Sequence, residues 1–196
     1  MLELAILGYL AEGPLHGYEL RRRVEQLSGH TRPVSDGSLY PAINRLVKRG
    51  QLARHTEPGA AAAQKYVLTL TEAGRAELLH RLREPAQLEI TDHARFMTIL
   101  AFLSQLPDTE EQHAVLRRRL EFLETPASFF YDGDRPLSAE EVADPYRRGM
   151  MLMARAISRA ERAWLRQELD GAQETSRAAP AVPAVPAVPA PPAARH

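Results

Sequence analysis

The sequence contains no cysteine, and it lacks both a long apolar run and a basic leader. Without cysteine, no disulfide framework, thiolate metal site or cysteine nucleophile can form. No stretch approaches the roughly 18 consecutive apolar residues that a membrane span needs. Residues 1–4 do not resemble the start of a secretory signal. We therefore expect a cytoplasmic protein that does not associate with membranes.

The sequence also shows no nucleophile–base pair, no cluster of metal ligands and no phosphate-binding loop. The histidines His80, His93 and His113 do not have the spacing of metal ligands, and His16 is interpreted as a structural residue at a helix start. We therefore expect no enzyme activity, no cofactor and no metal.

Charge is divided unevenly along the 196 residues, although the net charge is zero. Residues 1–83 carry 12 Lys/Arg and 8 Asp/Glu, whereas residues 84–176 carry 11 Lys/Arg and 17 Asp/Glu. A basic first half beside an acidic second half favours a nucleic-acid-binding module attached to a part that does not bind nucleic acid.

The first half has the pattern of a small helical domain with a hairpin. Helical periodicity covers residues 2–11, 15–27 and 36–49, with Asp36 as a suitable N-cap for the third helix. Pro41 is tolerated only in a first turn, so the regular part of that helix should start near Leu39 or Tyr40. Residues 51–56 and 65–70 read as two strands of a hairpin, and a fourth helix follows Thr71. This order predicts a winged helix-turn-helix domain in a mainly α protein.

The second half is predicted to be all helical. Periodic segments cover residues 91–106, 109–125 and 146–169, with a loop around residues 131–136. The last helix carries apolar residues at alternating spacings of four and three, which is a short heptad seam: Tyr146, Met150, Met153, Ile157, Ala160 and Trp164. This pattern predicts dimerisation through Met150, Met153, Ile157 and Trp164. Trp164 would alternatively stack on an aromatic effector.

The third helix supplies the candidate DNA contacts. A helix-turn-helix places this helix in the major groove, where Arg, Lys and Asn side chains bind phosphates and base edges. The candidates are Ser38, Tyr40, Asn44, Arg45, Lys48, Arg49 and, on the second strand, Lys65. An ordinary solvated helix face has similar residues, so this pattern alone leaves both readings open.

Four motifs in the first half resemble one family of proteins. They are His16-Gly17-Tyr18-Glu19-Leu20, Gly37-Ser38-Leu39-Tyr40-Pro41, Lys65-Tyr66 and Leu70-Thr71-Glu72-Ala73-Gly74. Together, and in this order, they look like the PadR family of bacterial transcriptional regulators over about residues 2–83. The second half is similar to the longer branch of that family, in which acidic helices and a late Trp-Leu, here Trp164-Leu165, belong to a dimerisation domain. Family wings often carry basic residues at the tip, whereas this tip is Gly59 followed by alanines.

The resemblance implies three regions and a regulatory function. We expect a DNA-binding domain over residues 1–83, a helical dimerisation and effector domain over residues 84–172, and a disordered Ala/Pro/Val-rich tail over residues 173–196. The implied function is a homodimeric repressor that binds an inverted repeat in double-stranded DNA and is released by a small aromatic ligand. The alternative is a winged-helix protein-interaction module without specific DNA binding.

Overall fold

A computed structural model describes residues 1–27, 35–57, 65–126 and 131–178. The first part of the chain forms α1 (Leu2–Glu12), β1 (Leu15–His16), α2 (Gly17–Leu27), α3 (Asp36–Lys48), β2 (Leu52–Glu57), β3 (Lys65–Leu70) and α4 (Glu72–Arg83). The second part forms α5 (Gln87–Thr91), α6 (His93–Phe102), α7 (Thr109–Glu124), β4 (Tyr131–Asp132), β5 (Arg135–Pro136) and α8 (Pro145–Ala178). The predicted fold class is confirmed: a winged helix-turn-helix with a small antiparallel sheet, followed by a helical region.

The wing belongs to a three-stranded antiparallel sheet with the order β1-β3-β2. The predicted start of the second helix at residue 15 is wrong, because Leu15 and His16 pair with β3 and α2 begins only at Gly17. The open edge of β3 offers hydrogen-bonding groups that this short segment satisfies. The hairpin itself agrees with the prediction to within one residue, and its register pairs Leu52 with Leu70.

Helix α3 starts earlier than the proline suggested. It begins at Asp36, and the carbonyl of Ser35 accepts from the backbone N–H groups of Ser38 (2.9 Å) and Leu39 (3.1 Å). Pro41 therefore lies in the second turn, and the predicted start near Leu39 or Tyr40 is wrong. The carbonyl that loses its helical donor is that of Gly37, an exposed residue that water can reach.

The second half differs from the prediction in three places. The helix expected over residues 91–106 is α6 followed by a 3-10 turn (Leu103–Gln105), and a separate short helix that was not expected, α5, precedes it and ends at Thr91. Asp92 separates α5 from α6: its backbone is extended and its carboxylate accepts from the backbone N–H of Arg95 at 2.9 Å, so it caps α6. The expected loop over residues 131–136 is a small hairpin whose turn uses Gly133 at φ 60°. Helix α8 continues past residue 169, its expected end, to Ala178.

Two expectations fall on parts of the chain outside the described residues. They concern the alanine-rich wing tip at residues 59–63 and residues 179–196 of the expected tail. The expected domain boundaries at residues 83 and 172 also remain predictions.

One hydrophobic core joins the two halves. Leu4 and Leu7 of α1 are buried in the same cluster as Phe96 of α6 and Leu165 of α8. At the junction, the ring of Tyr9 meets that of Phe102 edge to face, with centroids 5.0 Å apart. Helices α3 and α8 are thus packed against the same hydrophobic core.

Candidate nucleic-acid interface

Helix α3 buries one face and exposes the other. Leu39, Ile43 and Leu46 are at most 1% exposed, which fixes the rotation of the helix about its axis. The opposite face is exposed and carries all six side chains predicted from this helix: Ser38, Tyr40, Asn44, Arg45, Lys48 and Arg49. The structure therefore brings these six candidates onto one continuous surface. Lys65 is the first residue of β3, but its side chain lies outside the described part of the structure.

Two of the arginines on this face are paired with a carboxylate from α1. Arg45 donates from Nε to Oε1 of Glu3 at 2.9 Å, and Arg49 donates from Nη2 to Oε2 of the same residue at 2.6 Å. Burial alone would raise the pKa of Glu3, but the hydrogen bonds from Arg49 and Arg45 outweigh it and hold that pKa below its ordinary value. Glu3 is therefore a carboxylate shared by two candidate DNA-contacting residues.

The wing contributes a polar contact to the same surface. Arg54 of β2 donates from Nη2 to Oδ1 of Asn44 at 2.8 Å, and its guanidinium lies over the ring of Tyr66, 5.3 Å from the centroid. Such a cation–π contact restrains the arginine without neutralising it. The wing and α3 are thus linked through the Arg54–Asn44 hydrogen bond.

An open cavity of about 730 Å³ separates α2, α3 and the wing. Its walls include three tyrosines, one from each of these elements: Tyr18, Tyr40 and Tyr66, which are 77%, 45% and 40% exposed. Exposed tyrosines present both a ring and a hydroxyl, a combination suited to stacking and to phosphate contact.

Sequence reasoning missed Glu3, Tyr18, Arg54 and Tyr66 as members of this surface. For the wing residues a signal existed in the two-residue period of a strand. Arg54 and Tyr66 lie on the same face of the hairpin as the buried Leu52 and Leu68. Arg54 is directly opposite Leu68, and Tyr66 lies two residues closer to the hairpin tip than Leu68. For Glu3 no local signal existed, because its partners lie 42 and 46 residues away.

Two arginines of α2 are paired with nearby carboxylates. Arg21 pairs with Glu25 at 3.0 Å, and Arg23 pairs with Glu19 at 3.0 Å and with Glu12 at 3.3 Å. Partly exposed ion pairs of this kind are typical of a solvated helix face.

The predicted seam on α8 is solvent-exposed on a single chain. Its exposures are 86% for Tyr146, 46% for Met150, 63% for Met153, 54% for Ile157 and 39% for Trp164. Met151, Leu165 and Leu169 on a neighbouring face are buried in the chain's own interior. These five residues, here called the α8 stripe, therefore remain exposed to solvent when the chain has packed on itself.

A buried ion pair holds α8 against α7. Arg119 is 2% exposed and binds both carboxylate oxygens of Glu161, at 2.6 and 3.0 Å. It also donates to the backbone carbonyls of Ile90 (2.5 Å) and Thr91 (3.0 Å). Beside this pair lies an open cavity of about 780 Å³ between α7, α8 and the small hairpin.

The order of helices and strands, with an exposed basic third helix, defines a winged helix-turn-helix protein. Residues 6–80 match the model of the transcriptional regulator PadR-like family. Over these residues, which make up less than half of the 196, the chain is similar to that family.

Among its relatives, the chain is 43% identical over 79 residues to an uncharacterized 37.1 kDa protein in transposon Tn4556 of Streptomyces fradiae. That match covers 40% of this chain and 21% of the relative. This chain is also 28% identical over 110 residues to the negative transcriptional regulator PadR of Bacillus subtilis, and that match covers 56% of this chain and 60% of that protein. The chain thus spans less than two thirds of the length of either relative.

Among solved structures, the crystal structure of Bacillus subtilis PadR in complex with operator DNA matches with 22% identity and a TM-score of 0.43. The match covers 86% of this chain and 98% of that one. Within the described ranges of our chain, no helix is both long and apolar enough to cross a bilayer.

Proposed function

We propose that this chain is a sequence-specific DNA-binding transcriptional regulator, a repressor that binds an inverted-repeat operator as a homodimer. The observation that carries the proposal is the exposed polar face of α3, whose six candidate side chains stand opposite a fully buried apolar face. The B-DNA major groove is about 12 Å wide and admits a helix of this kind. With its rotation fixed by the core, α3 would present the same side chains to every site.

The chemistry of this face suits both base and phosphate contacts. Arg45 and Asn44 lie in the middle of the exposed face, where arginine pairs with guanine and asparagine with adenine. Lys48 and Arg49 lie toward the C-terminal end of α3 and suit phosphate oxygens. On the wing side, Arg54 extends the basic surface beyond the helix.

The decisive experiment measures binding to DNA selected by the wild-type protein from a randomised pool. Asn44→Ala and Arg45→Ala should each weaken binding to the selected site by about 1–3 kcal/mol, because each removes a base-reading side chain. Lys48→Ala should weaken binding to all sequences alike. Arg117→Ala serves as the control, since this exposed arginine of α7 lies outside the surface.

A double Asn44/Arg45 alanine variant that binds the selected site as tightly as wild type would contradict the role of α3. Wild-type protein that selects no sequence at all would favour the alternative, a protein-interaction module.

Two features support the homodimer: the α8 stripe, and the short DNA sequence that a single winged helix can contact. A single winged helix contacts a short sequence, whereas two copies spaced about 34–36 Å apart contact a palindrome. The stripe is a row of apolar side chains that one chain leaves in water, and contiguous apolar surface of this kind marks an interaction site. A second copy of the chain, carrying the same row, would cover it symmetrically.

Release by a small aromatic ligand is supported by the cavity beside α8. Its lining combines aromatic Phe122 and Tyr131 with the arginines Arg155, Arg159 and Arg162. The two carboxylates in the lining, Glu124 and Glu161, are already paired with Arg166 and Arg119. A ring with a carboxylate would match this lining. We expect hydroxycinnamic or benzoic acids to weaken operator binding, and no such effect in Arg159→Ala.

A further inference from the structure

The side chain of Glu3 is fixed in place from two sides. Its neighbours Leu4, Ile6 and Leu7 on α1 are fully buried, so the backbone that carries Glu3 cannot shift freely. Its side chain is 22% exposed, while those of Arg45 and Arg49 are 57% and 46% exposed. The carboxylate therefore lies beneath the two arginines, between them and the core.

The two arginines are held in different ways. The hydrogen bond from Arg45 to Glu3 uses Nε, so the end-on pair of N–H donors on its two terminal nitrogens is not used in that bond. Arg49 is held twice, from Nη2 to Glu3 and from Nε to Oε1 of Gln51 at 3.0 Å. Arg45 thus retains the pair of donors with which an arginine binds guanine O6 and N7, whereas Arg49 is mainly a tethered charge.

We propose that Glu3 is a specificity-determining residue, which orients Arg45 toward base edges and suppresses binding to DNA of arbitrary sequence. The proposal rests on the DNA-binding function proposed above. Glu3 acts through the arginines and makes no DNA contact itself.

Two physical effects support this role. The first is orientation: an arginine held at Nε by a fixed carboxylate loses less conformational freedom when its terminal nitrogens bind a base. The second is charge: one carboxylate shared by two guanidiniums cancels about half of their charge, and non-specific binding depends on charge alone. A phosphate that draws Arg45 or Arg49 away must compete with Glu3 for the guanidinium. A guanine edge can bind the terminal nitrogens of Arg45 while Nε stays bonded to Glu3.

The test compares Glu3→Gln with Glu12→Gln in the full chain. Glu12 is a matched control, because it lies on the same helix and pairs with an arginine, Arg23 of α2, that is not on α3. Binding is measured against the selected site and against a scrambled duplex of equal composition, over a series of salt concentrations. Thermal unfolding of both variants confirms that they fold.

Glu3→Gln should bind the scrambled duplex several-fold more tightly than wild type. Its dependence of log K on log salt should be steeper by about one unit, as expected for one more phosphate contact. The ratio of selected-site to scrambled affinity should fall roughly tenfold, within the range expected for weakening one bidentate base contact. Glu12→Gln should leave all three quantities unchanged.

The inference is overturned if Glu3→Gln keeps the wild-type affinity ratio and salt slope while Arg45→Ala still weakens binding to the selected site. In that case DNA recognition by α3 stands and Glu3 is only a stabilising partner. If Arg45→Ala is itself without effect, the proposed function of α3 fails and this inference fails with it.

Discussion

Helices α3 and α8 each bury a few apolar residues on one face, but the exposed surfaces that we assign to them have opposite chemistry. On α3 the exposed side chains are mostly polar or basic, and several are linked to other elements: Arg45 and Arg49 to Glu3, and Asn44 to Arg54. On α8 the exposed stripe is apolar and includes Met153 and Ile157. The polar and basic surface of α3 suits a polyanion, whereas the apolar stripe of α8 suits another apolar surface.

The two helices are also anchored differently, which affects how each surface can fail. Helix α3 is held by apolar contacts of Leu39, Ile43 and Leu46, whose burial does not depend on any single partner. Helix α8 is held by Leu165 and Leu169 together with the buried Arg119–Glu161 pair. A buried ion pair is vulnerable, because removing one member leaves the other charge without a partner in a dry environment. The α8 attachment should therefore be easier to break by one substitution.

The largest effect should come from Arg119→Ala. It leaves the Glu161 carboxylate, only 8% exposed, with the exposed His93 ring (Nδ1 to Oε2, 3.2 Å) as its remaining contact, and it removes the donor to two backbone carbonyls. We expect a loss of about 3–5 kcal/mol in the free energy of unfolding, measured by urea denaturation. Arg166→Ala is the control, because its pair with Glu124 is exposed and should contribute about 1 kcal/mol or less. Equal losses in the two variants would show that burial of the Arg119 pair has no special importance.

The next effect concerns the α8 stripe. Ile157→Glu places a carboxylate in the centre of the proposed seam, where a partner chain would bury it, at a cost of about 2 kcal/mol or more in dimerisation. Leu152→Glu is matched to it: Leu152 is 49% exposed, on the same helix, but outside the stripe. Analytical ultracentrifugation at micromolar concentration should show dissociation only for Ile157→Glu. A monomeric wild type that still binds a palindrome tightly would disprove the dimer.

The sequence was most informative where one short segment determines its own structure. The apolar period placed α1, α3 and α4, and the capping role of Thr71 is seen in the bond that its side chain accepts from the Gly74 N–H at 3.0 Å. The alternation in residues 51–56 and 65–70 placed the wing. The six candidate residues on α3 followed from the same period, because burying Leu39 and Ile43 leaves only one face to expose.

What the sequence could not reveal depends on partners far along the chain or on very short segments. The two-residue β1 has no period of its own and exists because β3 offers an open edge. Helix α5 has five residues, too few for a helical pattern. The Glu3–Arg45 and Arg119–Glu161 pairs each join residues 42 positions apart. Such contacts arise only once the core has brought the helices together.

The smallest expected effect on stability comes from a substitution at the junction of the two halves of the chain. It tests whether α3 and α8 unfold as one cooperative unit. Gly8 of α1 packs against Phe102, and a Cβ built on Gly8 would come within 2.4 Å of that ring. Gly8→Ala should therefore displace Phe102 and cost about 1–3 kcal/mol. Gly149→Ala in α8 is the matched control: its Cβ would meet nothing within 4 Å, so it should stabilise by about 0.5–1 kcal/mol through helix propensity.

Unfolding is followed by circular dichroism and by the fluorescence of Trp164, which reports on α8. Because the core is shared, both signals should shift together in Gly8→Ala; an unfolding transition of α8 that stays at its wild-type position would show that the two regions unfold separately.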